Sequence, residues 1–225
     1  MQTEVPILLM AFIRPDLVKR AMERLSKFAP PILYVMGDGP RSESEASLCE
    51  QSRKIAMNPT WECEVIPILN DDNQGVVASF VKGMNIMFSE HEFGIYLEDD
   101  IMLSESFYDF AQEILLTYRD DTRIGHVNST NFIPHYDPKD YEGSYFFSEY
   151  AFEWGFATWK RMWDLYDVKM LDWRDVNQKK MLGEHCFNSR ERKSLKRMFD
   201  LHCDNARPLA WGYQWLFSCL HNTVS

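Results

Sequence analysis

Short apolar runs alternate with helical patterns through the first 130 residues of the chain. Strands that alternate with helices at this spacing favour βαβ units. The pattern therefore predicts an α/β fold in which helices flank a mostly parallel sheet. The predicted strands are Val5–Phe12, Ile32–Met36, Val65–Leu69, Gly94–Leu97 and Ile124–Asn128. The predicted helices run from Pro15, from Ser42 to about Met57, from Val76 to about Ser89 and from Ser104 to about Tyr118. Ser42 and Ser104 are the predicted N-caps.

Polar residues follow each of the first four predicted strands. Arg14 follows the first, Asp38 the second, residues 70–75 the third and Glu98–Asp100 the fourth. Open parallel sheets bind ligands at the carboxyl ends of their strands. The sequence therefore predicts a ligand site at this edge of the sheet.

The triplet Glu98-Asp99-Asp100 follows its strand directly. Three adjacent carboxylates repel one another, so this placement costs stability unless a cation lies there. Carboxylate oxygens suit Mg²⁺ or Mn²⁺, usually with a substrate phosphate completing the ligand shell. Because side chains alternate along a strand, Glu98 and Asp100 are expected to share a side while Asp99 points away. The alternative is a solvated acidic turn.

Three further residues at the strand ends are candidates for ligand contact. Asp38 can bind a uracil or a ribose hydroxyl, or it can simply be a turn residue. Arg14 can meet a phosphate or base with its planar guanidinium, or it can be an exposed residue at a helix start. Gly75 is expected to allow close approach of the backbone, and the helix that follows can assist an anion.

Aromatic residues become dense after about residue 130, and six of the seven tryptophans lie between Trp154 and Trp215. We interpret residues 131–225 as a second subregion that packs on the same sheet as residues 1–130, and not as an independent domain. Trp154, Trp159 and Trp163 can offer flat faces to sugar rings. The alternative for each of them is packing in the core.

Charge and composition argue against several classes of protein. The formal net charge of −10 disfavours a nucleic-acid binder or attraction to an anionic membrane, and an anionic ligand would need a local positive charge such as a metal ion. No apolar run approaches 18 residues, so no transmembrane helix is predicted. The five cysteines form no CxxC pair, which favours a reduced, cytoplasmic protein.

Taken together, these segments resemble nucleotide-sugar glycosyltransferases of the GT-A fold. They are similar to bacterial proteins related to the N-acetylglucosaminyltransferase I type, over most of residues 5–220. The ordered set of strand ends is the most specific part of this resemblance. The segments that carry it are Pro6–Pro15, Gly37–Pro40, Asn73–Gly75, Leu97–Asp100 with Ser106-Phe107, and Trp154–Trp163.

The resemblance implies metal-dependent transfer of a hexosyl or N-acetylhexosaminyl group, with inversion, from a UDP-sugar to a hydroxyl of a carbohydrate or glycoconjugate. Asp100 would bind Mn²⁺ or Mg²⁺ together with the donor diphosphate. Glu98 and Asp99 would contact the donor sugar or ribose. The implied nucleoside pocket comprises Ala11, Arg14 and Asp38. The resemblance also implies that residues 1–130 are the nucleotide-sugar-binding half and residues 131–225 the acceptor-side half of the same domain.

The chain departs from the related enzymes in two places. They carry a catalytic Asp in a late Trp-rich segment, whereas the similar stretch here, Leu209–Trp215, has Gly212 where the acid is expected. Asp204 and Glu153 are therefore the candidates for the catalytic base. Related chains also continue with a strand and loop beyond the point matching Ser225, so the resemblance leaves two alternatives: a fragment truncated at the C-terminus, or a protein that lacks part of the cover over its donor.

Two other functions stay open. A nucleotidyltransferase would share the sheet and the metal chemistry, but the segment after the first strand, Phe12–Pro15, is not the Gly-rich basic loop that such enzymes carry. A nucleotide-sugar-binding protein without turnover is compatible with Gly212. Release of nucleoside diphosphate, with and without Mn²⁺, separates these functions.

Overall fold

The computed structural model describes residues 5–132, 143–205, 208 and 210–222 of the chain. Within these residues a six-stranded sheet has the strand order β3-β2-β1-β4-β6-β5. The strands are β1 (Ile7–Ala11), β2 (Ile32–Gly37), β3 (Glu64–Leu69), β4 (Phe93–Glu98), β5 (Val127–Asn128) and β6 (Phe156–Trp159). The helices are α1 (Pro15–Leu25), α2 (Glu43–Ala56), α3 (Val76–Glu90), α4 (Phe107–Thr117), α5 (Lys160–Trp163), α6 (Gln178–His185), α7 (Ser189–His202) and α8 (Gly212–Asn222), with a 3₁₀ turn at Leu171–Arg174.

The predicted α/β fold with a mostly parallel sheet is confirmed. β1 pairs in parallel with both β2 and β4, and β2 pairs in parallel with β3. β6 runs antiparallel to β4 on one side and to β5 on the other. The sequence pattern did not predict β6, which brings a strand from the second half of the chain into the sheet between β4 and β5.

Helices cover both faces of the sheet. On one face, Ile7 and Leu9 of β1 pack with side chains of α1 and α4. On the other face, Leu8 packs with Tyr34 and with side chains of α3 and α8. Since parallel strands are buried on both faces, they read in the sequence as nearly continuous apolar runs.

The aromatic second half packs on this sheet. Trp163, Trp211 and Trp215 join the core on the α3 side. A separate apolar cluster around Trp173 and Phe199 holds α6, α7 and α8 together.

Two elements, α4 and β5, depart most from their predicted bounds. α4 begins at Phe107 with Ser106 at its N-cap, so the expectation for Ser104 is wrong, whereas Ser42 does lie at the N-cap of α2. β5 covers only two of the five residues expected to form a strand. The carbonyl of Ile124 accepts instead from the guanidinium of Arg161 at 2.7 Å, which leaves it unavailable to the sheet.

Two findings bear on the wider properties of the chain. All five cysteine thiols are free. Among the described residues, none of the helices combines the length and apolar character needed to cross a bilayer.

Candidate functional site

β1 and β4 are neighbours in the sheet, but the chain leaves them in different directions. After β1 it proceeds outward to β2 and then to β3, while β4 lies on the opposite side of β1. This reversal of strand order is a topological switch point, which opens a crevice at the carboxyl ends of the two strands. Arg14 follows β1 there, and Asp99 and Asp100 follow β4.

The Arg14 guanidinium joins the two aspartates. Its Nη2 and Nε donate to the Asp99 carboxylate, the latter at 3.3 Å, and its Nη1 donates to Asp100 Oδ2 at 2.9 Å. The Asp99 side chain is only 2% exposed, whereas that of Asp100 is 46% exposed. Arg14 therefore supplies positive charge at the position where the sequence argument called for a cation.

The expected alternation along the acidic triplet is wrong. Asp99 and Asp100 share one partner, while Glu98 accepts through Oε1 from the Tyr96 hydroxyl at 2.9 Å. β4 ends at Glu98 and a turn follows, so the two-residue repeat of a strand stops there. Burial raises the pKa of Glu98 and of Asp99, and Arg14 opposes the rise at Asp99.

Asp100 is the member of the triplet best placed to hold a metal ion. Among the described residues, no group of three or more His, Cys, Asp or Glu side chains is placed as a metal-binding cluster. Asp100 is half exposed, and Arg14 contacts only its Oδ2. A single carboxylate fits a Mg²⁺-type ion that arrives with a substrate diphosphate and keeps several waters, but it does not fit a permanent ion.

Asp38 has a different environment. It is 7% exposed, and its carboxylate accepts five hydrogen bonds at 2.9–3.0 Å. The donors are the backbone N–H groups of Gly39, Gln74 and Gly75 and the side-chain amides of Asn70 and Asn73. These bonds use the acceptor capacity of a carboxylate, so Asp38 fastens the 70–75 loop to the end of β2. Its contact with a nucleoside stays a prediction.

Arg53 of α2 strengthens the same corner. Its Nη2 donates to the carbonyls of Gly37, Asp38 and Asn70, the Gly37 and Asp38 contacts measuring 3.2 and 2.9 Å. Lys82 donates to Asn70 Oδ1 at 2.6 Å. The carboxyl ends of β2 and β3 are thus held by side chains that the sequence argument did not single out.

Gly75 has a φ of 82°, which favours glycine, and no atom lies within 4 Å of the position that a Cβ would take. The open space continues into a cavity of about 950 Å³ along the start of α3. A second cavity, of about 490 Å³, shares Val81, Asn85 and Val168 with it. Neither cavity is lined by Arg14 or by the acidic triplet.

The two candidates for the catalytic base lie in different places. The Glu153 carboxylate lies against Gly212, and burial raises its pKa. Asp204 follows α7, where it accepts from Arg174 Nη2 at 2.5 Å and its amide donates to the Lys169 carbonyl. The structure thus places Glu153 against Gly212, in the Leu209–Trp215 stretch that the sequence analysis named. Leu209 itself lies outside the described residues.

The expectation that Trp159 offers a face to a sugar is wrong. Trp159 is 1% exposed, and its indole N–H donates to the Leu115 carbonyl at 2.9 Å. It belongs to β6, which lies inside the sheet, so its side chain packs under α4. Trp163 is also buried, whereas Trp154 is 55% exposed.

Ala11 is 3% exposed at the last position of β1, where it pairs with Gly37. Its contact with a nucleoside stays a prediction. Tyr96 is a functional candidate that the sequence argument missed. The two-residue spacing from Glu98 was a usable signal, because residues i and i+2 of a strand share a face.

Comparisons with known proteins find likeness in structure but not in sequence. No protein-family model and no curated protein matches the chain. The structure is similar to that of residues 1–349 of S. aureus TarS, with TM-score 0.42, 9% identity and coverage of 74% of this chain and 50% of that one. It is also similar to the galactosyltransferase LgtC, solved with donor and acceptor sugar analogues, with TM-score 0.43, 12% identity and coverage of 88% and 70%. The chain therefore spans about half of the TarS chain that it matches.

Proposed function

We propose that the chain is a glycosyltransferase that moves a hexosyl or N-acetylhexosaminyl group from a nucleoside-diphosphate sugar, most simply a UDP-sugar, to a carbohydrate hydroxyl. The observation that carries the proposal is the meeting of Arg14, Asp99 and Asp100 in the crevice between β1 and β4. It places a planar cation and an exposed carboxylate together at the position where open α/β sheets bind ligands.

Arg14 would bind the donor phosphates. It uses three N–H groups on Asp99 and Asp100, and a guanidinium carries more donors than that. Its planar arrangement of donors matches phosphate oxygens. The buried Asp99 acts through Arg14 by fixing the orientation of the guanidinium. Glu98 would contact the donor sugar or ribose.

Asp100 would hold Mn²⁺ or Mg²⁺ with the donor. Arg14 offsets only part of the charge of three carboxylates, and a diphosphate adds about two more negative charges. Unit charges about 4 Å apart interact by roughly 4 kcal/mol at an effective dielectric constant of about 20. A bound divalent ion supplies Lewis-acid stabilisation of the leaving diphosphate. Asp100 would reach it through Oδ1, the oxygen that Arg14 does not contact.

The reaction fits a single displacement with inversion at the anomeric carbon. Such a reaction needs a base for the acceptor hydroxyl, and Glu153 is the better placed of the two candidates. Trp154, exposed next to Glu153, is the remaining tryptophan that we propose for acceptor binding. With five free thiols, we propose the reduced cytoplasm as the compartment.

Calorimetric titration tests the donor site. UDP should bind more tightly than uridine, and Mn²⁺ should strengthen UDP binding. Asp100→Asn should remove most of the effect of Mn²⁺, about tenfold or more in affinity, with an unchanged circular dichroism spectrum. Asp71→Asn is the matched control, because it removes one charge from an exposed aspartate at the same edge of the sheet.

Different results refute different parts of the proposal. UDP affinity that responds neither to Mn²⁺ nor to EDTA would exclude the metal while leaving a donor site. Equal affinity for UDP and uridine would exclude the diphosphate contact. Absence of nucleotide binding would refute the function as a whole.

One observation favours a second candidate, a nucleotide-sugar-binding protein without turnover. Asp204 is held by Arg174, and position 212 is a glycine, which leaves Glu153 as the one remaining candidate from the sequence. Release of UDP from UDP-sugars distinguishes an enzyme from a binding protein.

A further inference from the structure

We infer that Gly212 is a positioning residue, which gives the Glu153 carboxylate its place beside the end of β4, where Glu153 accepts the proton of the acceptor hydroxyl. The inference rests on the proposed function and extends it to a residue that carries no reactive group. Its basis is the space around Gly212, the attachment of the chain at Glu153, and the groups beside the carboxylate.

Gly212 leaves room for a carboxyl group. A Cβ at this position would lie 1.4 Å from Glu153 Oε2 and 2.5 Å from Glu153 Cδ. Any side chain at position 212 would overlap the carboxylate, and only glycine accommodates both. Gly212 is also the first residue of α8, a helix of 11 residues.

The backbone at Glu153 is held against the end of β4. The Trp154 carbonyl accepts from Ser129 Oγ at 2.8 Å, and the Gly155 N–H donates to the Glu153 carbonyl at 3.1 Å. Gly155 has a φ of 74°, and a Cβ there would lie 3.2 Å from the Leu97 side chain. Ser129 follows β5, and Phe156, the residue after Gly155, pairs with Tyr96 of β4, so the segment is held beside the strand that ends in the acidic triplet.

The carboxylate lies beside the proposed donor site. The Tyr96 hydroxyl donates to Glu98, and its ring lies edge-on to Trp211 with ring centroids 5.0 Å apart. Burial raises the pKa of Tyr96, and the nearby Glu98 and Glu153 carboxylates raise it further. Among the described residues, Glu153 has no hydrogen-bond or ion-pair partner for its side chain. Glu153 is exposed, so an acceptor hydroxyl can reach its carboxylate, and a carboxylate with no partner among these residues is well suited to take up a proton.

The glycosyl group would pass to the acceptor hydroxyl in a single displacement. The acceptor hydroxyl oxygen forms a bond to the anomeric carbon of the donor as the bond from that carbon to the diphosphate oxygen breaks. The diphosphate leaves with the electron pair of the broken bond. The hydroxyl proton passes to the Glu153 carboxylate, which later releases it to solvent.

Three variants test the inference: Gly212→Ala, Glu153→Gln and, as the matched control, Gly183→Ala. Gly183 lies in α6, where a Cβ would meet no atom within 4 Å. Turnover is measured as hydrolysis of UDP-glucose, UDP-galactose and UDP-N-acetylglucosamine with water as the acceptor. UDP affinity is measured separately by calorimetry, and folding by circular dichroism.

Gly212→Ala should fold, because the atoms it displaces belong to the end of a flexible side chain. It should bind UDP like the wild type but lose turnover about 100-fold, within the range for removal of a general base. Glu153→Gln should lose a similar factor, and the double variant should lose no more than either single one. Gly183→Ala should match the wild type.

A second measurement reports position without using activity. In a carbon-13 titration, the Glu153 carboxyl should have a raised pKa in the wild type and a value closer to that of an ordinary glutamate in Gly212→Ala. The pH profile of turnover should lose its acidic limb in Glu153→Gln.

Equal turnover in Gly212→Ala and Gly183→Ala, with UDP binding intact, would overturn the inference. So would a wild-type protein that binds UDP but hydrolyses none of the three donors, and this result would favour the binding protein. Failure to bind UDP would instead point to the donor site, and so to the proposed function itself.

Discussion

Two aspartates at the same edge of the sheet differ in almost every respect. Asp38, after β2, is buried and accepts five hydrogen bonds from the protein. Asp100, after β4, is half exposed and accepts one, from Arg14. A carboxylate whose acceptor capacity is used by the backbone stabilises a loop, whereas one with a free oxygen can serve a ligand.

The comparison separates two roles that the sequence alone assigned to one pocket. The β2–β3 corner, with Asp38, Asn70 and Arg53, is a structural region held together by hydrogen bonds. The β1–β4 crevice, with Arg14 and Asp100, keeps unused donors and acceptors. We expect substitutions in the corner to lower stability and substitutions in the crevice to lower affinity.

The largest expected effect is that of Asp38→Asn. The new side-chain NH₂ group would face N–H groups that donate to the carboxylate in the wild type. Buried hydrogen bonds would be lost, and donors would face donors. We expect the free energy of unfolding to fall by about 4 kcal/mol, measured by urea denaturation. An unchanged stability together with lost UDP affinity would reverse the roles of the two regions.

The partly buried imidazole of His126 gives a reference that lies away from both regions. It accepts from Trp215 at Nδ1 and contacts Asn128 through Nε2, and burial lowers the pKa of His126 to about 3. Below the ordinary histidine pKa of about 6.5 the unfolded chain takes up a proton that the folded protein does not, so stability falls as the pH falls from about 6.5 towards 3.

We expect His126 to lower the free energy of unfolding by about 2 kcal/mol as the pH falls from 7 to 5. Glu98, Asp99 and Glu153 have raised pKa values and act with the opposite sign, because their protonation favours the folded state. The measurement is the difference in unfolding free energy between the wild type and His126→Gln at the two pH values. The contributions of the three acids are present in both proteins and largely cancel in this difference. A constant difference would contradict a neutral buried imidazole.

Gly75→Ala should destabilise by about 1–2 kcal/mol. The cause is the backbone, since the φ of 82° is strained for alanine although the space beside it is open. Chemical denaturation measures the effect, with Gly183→Ala as a control in which alanine should stabilise α6. A neutral result at Gly75 would mean that the 70–75 loop is not held as rigidly as its bonds to Asp38 imply.

The smallest expected change in stability is that of Asp100→Asn, below about 0.5 kcal/mol. Its ion pair with Arg14 is half exposed, and pairs of this kind contribute little. A thermal melt beside Asp38→Asn makes the contrast direct. A large loss of stability at Asp100 would turn the crevice into a structural site and weaken the proposed function.

The fold could be predicted where local pattern and burial agree. Parallel strands buried on both faces appear as apolar runs, and the polar residues that end them mark the ligand edge. β6 escaped prediction because its four residues lie within an aromatic stretch, and their strand character depends on pairing with β4, about 60 residues earlier in the chain.

The site could be predicted as a set of residues but not as a set of contacts. Arg14, Asp38 and the acidic triplet were identified one by one from their positions after strands. That Arg14 would meet Asp99 depends on the adjacency of β1 and β4, which no local pattern encodes. Likewise, the place of Glu153 beside Gly212 arises from packing between distant segments.

The position of β6 has a consequence for the newly made chain. β4 lies between β1 and β6, so one of its edges remains open until Phe156–Trp159 has left the ribosome. An uncovered edge of an apolar strand can pair with another chain. A nascent chain that pauses between β4 and β6 therefore exposes the unpaired edge of β4 and is prone to aggregate. We expect chaperones to bind the nascent chain most during that interval of translation.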